Sequence, residues 1–387
     1  MWFFGNKKGS SMVLITIGSS AVSGAYAYYE SGKTPVIHFS TRHVIELRTE
    51  ENLKSAMLRA LDEVGTDLIE KGSSVLRRET GNGHVDGVLV SVAGPWQDTN
   101  VRTETINPGK PFTFTRAMLS EVISSTAAVP EDRVGFGEQV IATILNGYDI
   151  PDAIGKKANR AEVVILSSTL DKEVTEQVRT RLRKLYHTHT ITFAAFAPVT
   201  YAVLRDLYPH ERDFLVLDVA AEDTDLAFVK GNLLVDVGTI PVGLNTLLAA
   251  TRSAERMTVE EESGISPKLG EQPGYINPDR NARFSVRVET ARDEWLKGLS
   301  ELLKKFAQQH ALPRTLFVLT PPNARDYLKR SLDSHILHAL WLSDEPLSII
   351  TVTSEQFTSK VRSKTEVETP IYLSILALYQ QKIAGKT

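Results

Sequence analysis

The stretch FLVLDVAAEDTDLAFVKGNLLVDVGTIPVG, Phe214 to Gly243, decides the fold. Three runs dense in Val, Leu, Ile and Phe are separated by two polar breaks, AAED (Ala220–Asp223) and KGN (Lys230–Asn232). Branched and aromatic side chains suit a pleated surface, and short polar breaks suit tight turns, so the stretch predicts a meander of three strands. A helical pattern, Leu244 to Met257, follows it. The first strand should end on Asp218, with Asp225 just past the first turn.

The chain around this meander has 387 residues, enough for several subdomains with their own cores. Charged residues make up 24% and the net charge is −3, so no strong global field favours nucleic acid. The absence of cysteine removes disulfides, thiolate catalysis and Cys-based zinc sites together. No apolar run approaches the ~18 residues that a membrane span needs, and no signal peptide is visible. A cytoplasmic α/β protein is expected.

Upstream, MWFFGNKKGSS places Trp2, Phe3 and Phe4 ahead of Lys7 and Lys8. Such a leader is either a disordered tip or a weak peripheral membrane contact, with aromatics in the headgroup layer and lysines on anionic lipid. An apolar strand, Met12 to Ile17, then meets the turn Gly18-Ser19-Ser20, followed by a Tyr-rich strand and a third strand, Pro35 to Ser40. Leu53, Met57, Leu58, Leu61, Val64 and Leu68 recur at helical spacing between Thr49 and Lys71. From Val85 to Ser168 the pattern reads as a small α/β piece, and a helix with Val174, Val178 and Leu182 on one face follows. The strand HTHTITFAAF would put His187 and His189 on one face, and His335 and His338 would share a helix face. Neither pair has a third ligand nearby, so no metal site and no catalytic residue is expected. Ser266 to Arg283 reads as an exposed loop and Val286 to His310 as a long helix, while Ile371 to Ala384 reads as the closing helix.

The Asp218 hairpin resembles the second phosphate-binding hairpin of actin-superfamily ATPases. The trailing Ile240-Pro241-Val242-Gly243 is similar to the FtsA and PilM branch of that superfamily, as are SVAGPW (Ser91–Trp96) and Asn146 to Leu166. The Gly18-Ser19-Ser20 turn resembles the first phosphate loop. The resemblance implies an α/β fold of the bilobed actin-like type, a duplicated ribonuclease H-like unit with an inserted small α/β subdomain. It implies these divisions: leader 1–12, first lobe 13–84 and 169–212, inserted FtsA/PilM-type (SHS2) subdomain 85–168, and second lobe 213–365. Within the second lobe a reduced subdomain would span about 250–310, and 366–387 would return to the first lobe as a helix.

Four departures from the family pattern bear on nucleotide. Thr16 stands where the first aspartate orients Mg²⁺, and threonine cannot supply that charge to a hard cation. Ala197 precedes Pro198 where the family has an acidic or amide residue. Ala220, Ala221, Glu222 and Asp223 replace the glycines whose backbone N–H groups approach phosphates. Like charges ~4 Å apart at an effective dielectric of ~20 repel by roughly 4 kcal/mol, about three decades of affinity. The alternative reading of AAED is an ordinary solvated turn. Finally, Pro321-Pro322-Asn323-Ala324 replaces the glycine-rich adenosine turn, removing two N–H donors.

The expected function is therefore a non-hydrolytic actin-like scaffold or adaptor, a pseudo-ATPase of FtsA/PilM type. It would meet protein partners of a cell-division or type IV pilus-like assembly at the cytoplasmic membrane face, with self-association as a further expectation. No cofactor is expected. The alternative is an active ATPase that binds Mg·ATP and polymerises, and any nucleotide would be held by Gly18, Ser19, Ser20, Asp218, Thr224, Asp225 and Gly243.

Overall fold

A strand buried on both faces needs backbone partners on both edges. The computed structural model meets this requirement twice, with the same topology. It describes residues 9–81, 83–124, 129–150, 152–247, 278–308, 310–334, 337, 339–341, 347–364 and 369–385. Contacts group the described residues of Met1–Pro209, Leu233–Val235 and Thr353–Thr387 into one unit, and those of His210–Asn232 and Asp236–Val352 into a second.

In the first unit β1 (Ser10–Ile17), β2 (Ala21–Tyr29) and β3 (Val36–Val44) form an antiparallel meander. Helix α1 (Leu53–Asp67) lays Ala56, Met57, Ala60, Leu61 and Val64 on it, and Asn52 Oδ1 caps its start by accepting from Ser55 N at 2.8 Å. The helix was expected to stop at Lys71. It passes instead through one π turn, Leu68–Gly72, into α2 (Ser73–Thr80), because Leu76 prolongs the buried stripe. Gly81 then ends it with φ 73°. The strand β4 (Gly87–Val92) returns to pair parallel with β1.

This last pairing corrects the expected division at Val85. The second sheet begins only at β5 (Gln97–Ile106) and adds β6 (Phe112–Thr113), α3 (Arg116–Ser124), β7 (Arg133–Leu145), β8 (Tyr148–Asp149), β9 (Lys157–Ala158) and β10 (Ala161–Asp171). Its four-stranded order is β5-β10-β7-β8, with β6 and β9 as a separate ladder. Phe114, Leu145, Ala161, Val163 and Ile165 form a core of their own. A fully buried strand such as β4 has the same composition whichever sheet it joins, so its membership was not readable locally.

Helix α4 (Lys172–Tyr186) leads to β11 (Ile191–Ala195), which pairs parallel with β4, and α5 (Phe196–Leu207) follows. The expected strand start at His187 is corrected: His187 closes α4 in a left-handed conformation, φ 49°, so the two histidines do not alternate along a strand. Pro198 is tolerated within the first turn of α5, where an N–H has no helical partner.

In the second unit β12 (Phe214–Val219), β13 (Thr224–Lys230) and β14 (Leu233–Ile240) repeat the meander. After α6 (Pro278–Ala307), β15 (Thr315–Leu319) pairs parallel with β12, α7 (Arg325–Leu332) follows, and β16 (Ser348–Thr351) pairs parallel with β15. The orders β3-β2-β1-β4-β11 and β14-β13-β12-β15-β16 are the same topology, which is the duplication the sequence reading expected. The chain then returns to the first unit through β17 (Arg362–Ser363), which pairs with β3, and α8 (Ile371–Ala384). That return begins at Thr353, ahead of the expected boundary at 366. Residues 278–283, expected in a loop, open α6. The rest of that loop, most of the reduced subdomain, Trp2, Phe3, Phe4, His335 and His338 lie outside the described residues.

Helix and sheet approach closely at Gly24. A Cβ there would lie 2.5 Å from Val64 Cγ1 and 2.8 Å from Leu68 Cδ1. Gly24→Ala should therefore overpack the core of the first unit and lower its stability by about 1–3 kcal/mol, read as an earlier urea midpoint. An unchanged midpoint would mean that α1 can shift outward freely.

Candidate functional site

The seven nominated residues fall into two sets. Gly18, Ser19 and Ser20 form the β1–β2 turn in the first unit, and Asp218, Thr224, Asp225 and Gly243 surround the β12–β13 hairpin in the second.

The first turn is pinned by its backbone. Gly18 N donates to Ala21 O at 3.1 Å, the Trp96 indole Nε1 donates to Gly18 O at 3.4 Å, and Ile45 N donates to Ser20 O at 2.9 Å. Ser19 is 2% exposed. Thr16 is buried as well, opposite Ser23 on β2 and Ser91 on β4, so a row of hydroxyls occupies the strand ends where the family pattern carries a carboxylate. A Cβ at Gly18 would meet only Ala21 O, at 3.8 Å, so the fold itself does not demand a glycine there.

The second hairpin is closed by its own chain. Asp218 and Asp225 face each other in register across β12 and β13. Thr224 is fully buried; its hydroxyl donates to Val242 O at 2.8 Å and accepts from the Trp295 indole at 3.0 Å. Ala220 N donates to Asp223 O at 3.0 Å, closing the turn. The carbonyls of Ala220 and Ala221 then accept from Leu244 N and Asn245 N, both at 2.8 Å. These two N–H groups begin the helix that opens at Leu244, where the dipole favours an anion. Here they are bonded to carbonyls, and the anionic group beside them is Glu222, whose Oε1 accepts from Asn245 Nδ2 at 2.6 Å. Gly243 lets the two segments touch: a Cβ on it would lie 2.5 Å from Ala221 O and 2.6 Å from Asp223 N. Asp225 Oδ1 accepts from Thr239 Oγ1 at 2.5 Å.

The sequence does not announce how strongly the Asp223 carboxyl of this hairpin is perturbed. The residue is 6% exposed, and burial, then the neighbouring Asp225 and Glu222, push its pKa up to about 7. The AAED turn is thus neither an open anion cradle nor wholly solvated: Ala221 and Asp223 point inward. The partners Trp295 and Asn245 were also missed. Trp295 lies 71 residues from Thr224, and no local pattern announces such a bond.

At the fourth departure, β15 ends at Leu319, and Pro322–Ala324 form a 3-10 turn leading directly into α7. Ala324 N is spent on Pro321 O at 3.1 Å. Among the described residues no group of three or more His, Asp or Glu side chains is placed to hold a metal. No helix among them is long and apolar enough to cross a membrane.

The Asp223 environment has a measurable sign. Its carboxyl is protonated in the fold up to about pH 7 but ionises near 4 when the chain unfolds, so folding is favoured below the lower value. Stability should fall as pH rises from about 4 to about 7 and then level off. Asp223→Asn should abolish that component, raising stability by about 2–4 kcal/mol at pH 8 and little at pH 4. Melting curves of both proteins across this range check it. Parallel pH profiles for the two would show an Asp223 that ionises normally.

No protein-family model and no curated protein matches the sequence. Among solved structures, the chain is similar to one in the PilM-PilN type IV pilus biogenesis complex, with 14% identity and a TM-score of 0.59. That likeness covers 96% of this chain and 98% of the other. It is also similar to a Bacteroides thetaiotaomicron protein with an actin-like ATPase fold and unknown function (10% identity, TM-score 0.44, covering 98% and 99% of the two chains). The ethanolamine utilization protein EutJ from Carboxydothermus hydrogenoformans matches at 11% identity and a TM-score of 0.38, covering 95% and 89%. At these identities the first likeness speaks for the fold, and it agrees with the duplicated sheet order: the chain has an actin-like fold, with a PilM-like relative in that fold.

Proposed function

We propose that this protein is a non-hydrolytic actin-like scaffold, an adaptor that binds protein partners in a pilus- or division-type assembly at the cytoplasmic face of a membrane. One observation carries the reading. The hairpin turn that would have to open its backbone to phosphate is filled by the protein's own groups. Leu244 N and Asn245 N are bonded to Ala220 O and Ala221 O, Glu222 holds Asn245, and Asp223 is buried beneath.

A polyphosphate entering this turn would have to break two backbone hydrogen bonds and meet Glu222 and Asp225. Each bond lost without replacement costs about 1–3 kcal/mol, and the like charges add to that. The four departures from the nucleotide pattern act on separate requirements: metal charge, backbone donors, phosphate space and purine space. Compensation at one leaves the others. Partner binding needs none of them, and the structure of the pilus biogenesis complex contains an actin-like chain with a partner, which supports a docking role for this fold.

Calorimetric titration with millimolar Mg·ATP should give no binding heat, the melting temperature should not rise, and no phosphate should be released. A micromolar dissociation constant that weakens in Asp218→Ala would establish the active-ATPase alternative and overturn the proposal.

A further inference from the structure

In the second sheet β5 is an edge strand of ten residues, paired on one side with β10 and, among the described residues, with no strand on the other. The opposite edge, β8, is only two residues long. Native edges are guarded by proline, by charged side chains, lysine above all, or by a bulge. The sequence of β5, QDTNVRTETI, has no proline or lysine, and its three charges stand at Asp98, Arg102 and Glu104. Its register with β10 runs without a shift from Gln97–Leu170 to Ile106–Ala161.

The hydrogen-bond phase fixes which groups are offered. Asp171 N donates to Trp96 O at 2.8 Å, so the residues in step with Trp96 face β10: Asp98, Asn100, Arg102, Glu104 and Ile106. The N–H and C=O groups of Thr99, Val101, Thr103 and Thr105 therefore point outward. Thr103 and Thr105 are exposed, and four of the five outward positions, all but Gln97, carry β-branched side chains suited to a ladder.

We infer that this edge pairs with the same edge of a second copy of the chain, antiparallel about a two-fold axis at Thr103, joining two four-stranded sheets into one. Charge chooses both the occupant and the register. With Thr103 opposite its own copy, Val101 faces Thr105, and Arg102 faces Glu104 on the partner strand, twice by symmetry. A shift that centres the pair on Arg102 would place the two guanidinium groups opposite each other. Arg102 already bridges Glu104 of its own strand (Nη1 to Oε1, 3.2 Å) and Glu138 (Nη2 to Oε1, 3.2 Å). The Glu104 side chain is 41% exposed, so its second oxygen can also accept from the partner's Arg102, joining the two intrastrand bridges into one network across the axis. The inference holds whichever assembly the scaffold serves, because it uses only the edge.

The absence of cysteine makes the test clean. In sedimentation velocity the full chain should dimerise with rising concentration. Thr103→Cys should form a covalent dimer on mild oxidation, since paired residues at the axis sit about 5.5 Å apart, within disulfide range. Thr105→Cys, facing Val101, should cross-link far more slowly. Cysteine keeps the backbone N–H and C=O, so both variants leave the β5–β10 ladder intact. Arg102→Glu and Glu104→Arg should each weaken dimerisation about tenfold alone, and a one-to-one mixture of the two should restore it, because both cross-strand pairs are then opposite in charge. A folding defect would not be rescued by mixing. A chain that stays monomeric at all concentrations, equal cross-linking at 103 and 105, or a mixture no tighter than its components would each overturn the inference.

Discussion

The structure depends on two strands that are paired on both edges and buried on both faces. β1 is held by β2 on one side and β4 on the other; β12 is held by β13 and β15. Each is antiparallel to one neighbour and parallel to the other. That arrangement requires a tight turn at one end of the strand and a long crossover before its parallel partner arrives. The turns become the candidate site, and the crossovers are helical: α1 and α2 in the first unit, α6 in the second.

The chemistry at the two turns follows from what those ends must satisfy. At the first, Trp96 and Ile45 secure the carbonyls of Gly18 and Ser20, and hydroxyls line the strand ends. At the second, the start of the following helix bonds directly to the turn, and Gly243 allows contact distances no larger residue would permit. The same packing buries Asp223 and raises its pKa. Closing the turn and perturbing the carboxyl are thus one event, not two features.

Sheet edges divide the labour differently. The first-unit sheet is finished by the two residues of β17 and the five of β11, whereas in the second sheet the outer side of the ten-residue β5 has no strand partner among the described residues. A fold whose β12–β13 turn is closed by its own chain still has main-chain donors and acceptors to offer, and here they lie along that edge.

Much of the fold was legible in the sequence because alternation and helical spacing are local. The meander from Phe214 to Ile240, the closing helix Ile371–Ala384 and the buried stripe of α1 are set by side chains within a few residues of one another. The absence of glycine from Ala220 to Asp223 was equally local. Tertiary structure alone decided that β4 joins β1 and not the small sheet, since a fully buried strand reads the same in either. It alone brought Trp295 to Thr224 and Asn245 to Glu222, and set Thr103 in phase with the outer edge of β5. Composition sets what a segment can bury, but hydrogen-bond register and contacts between distant segments set which groups remain for function.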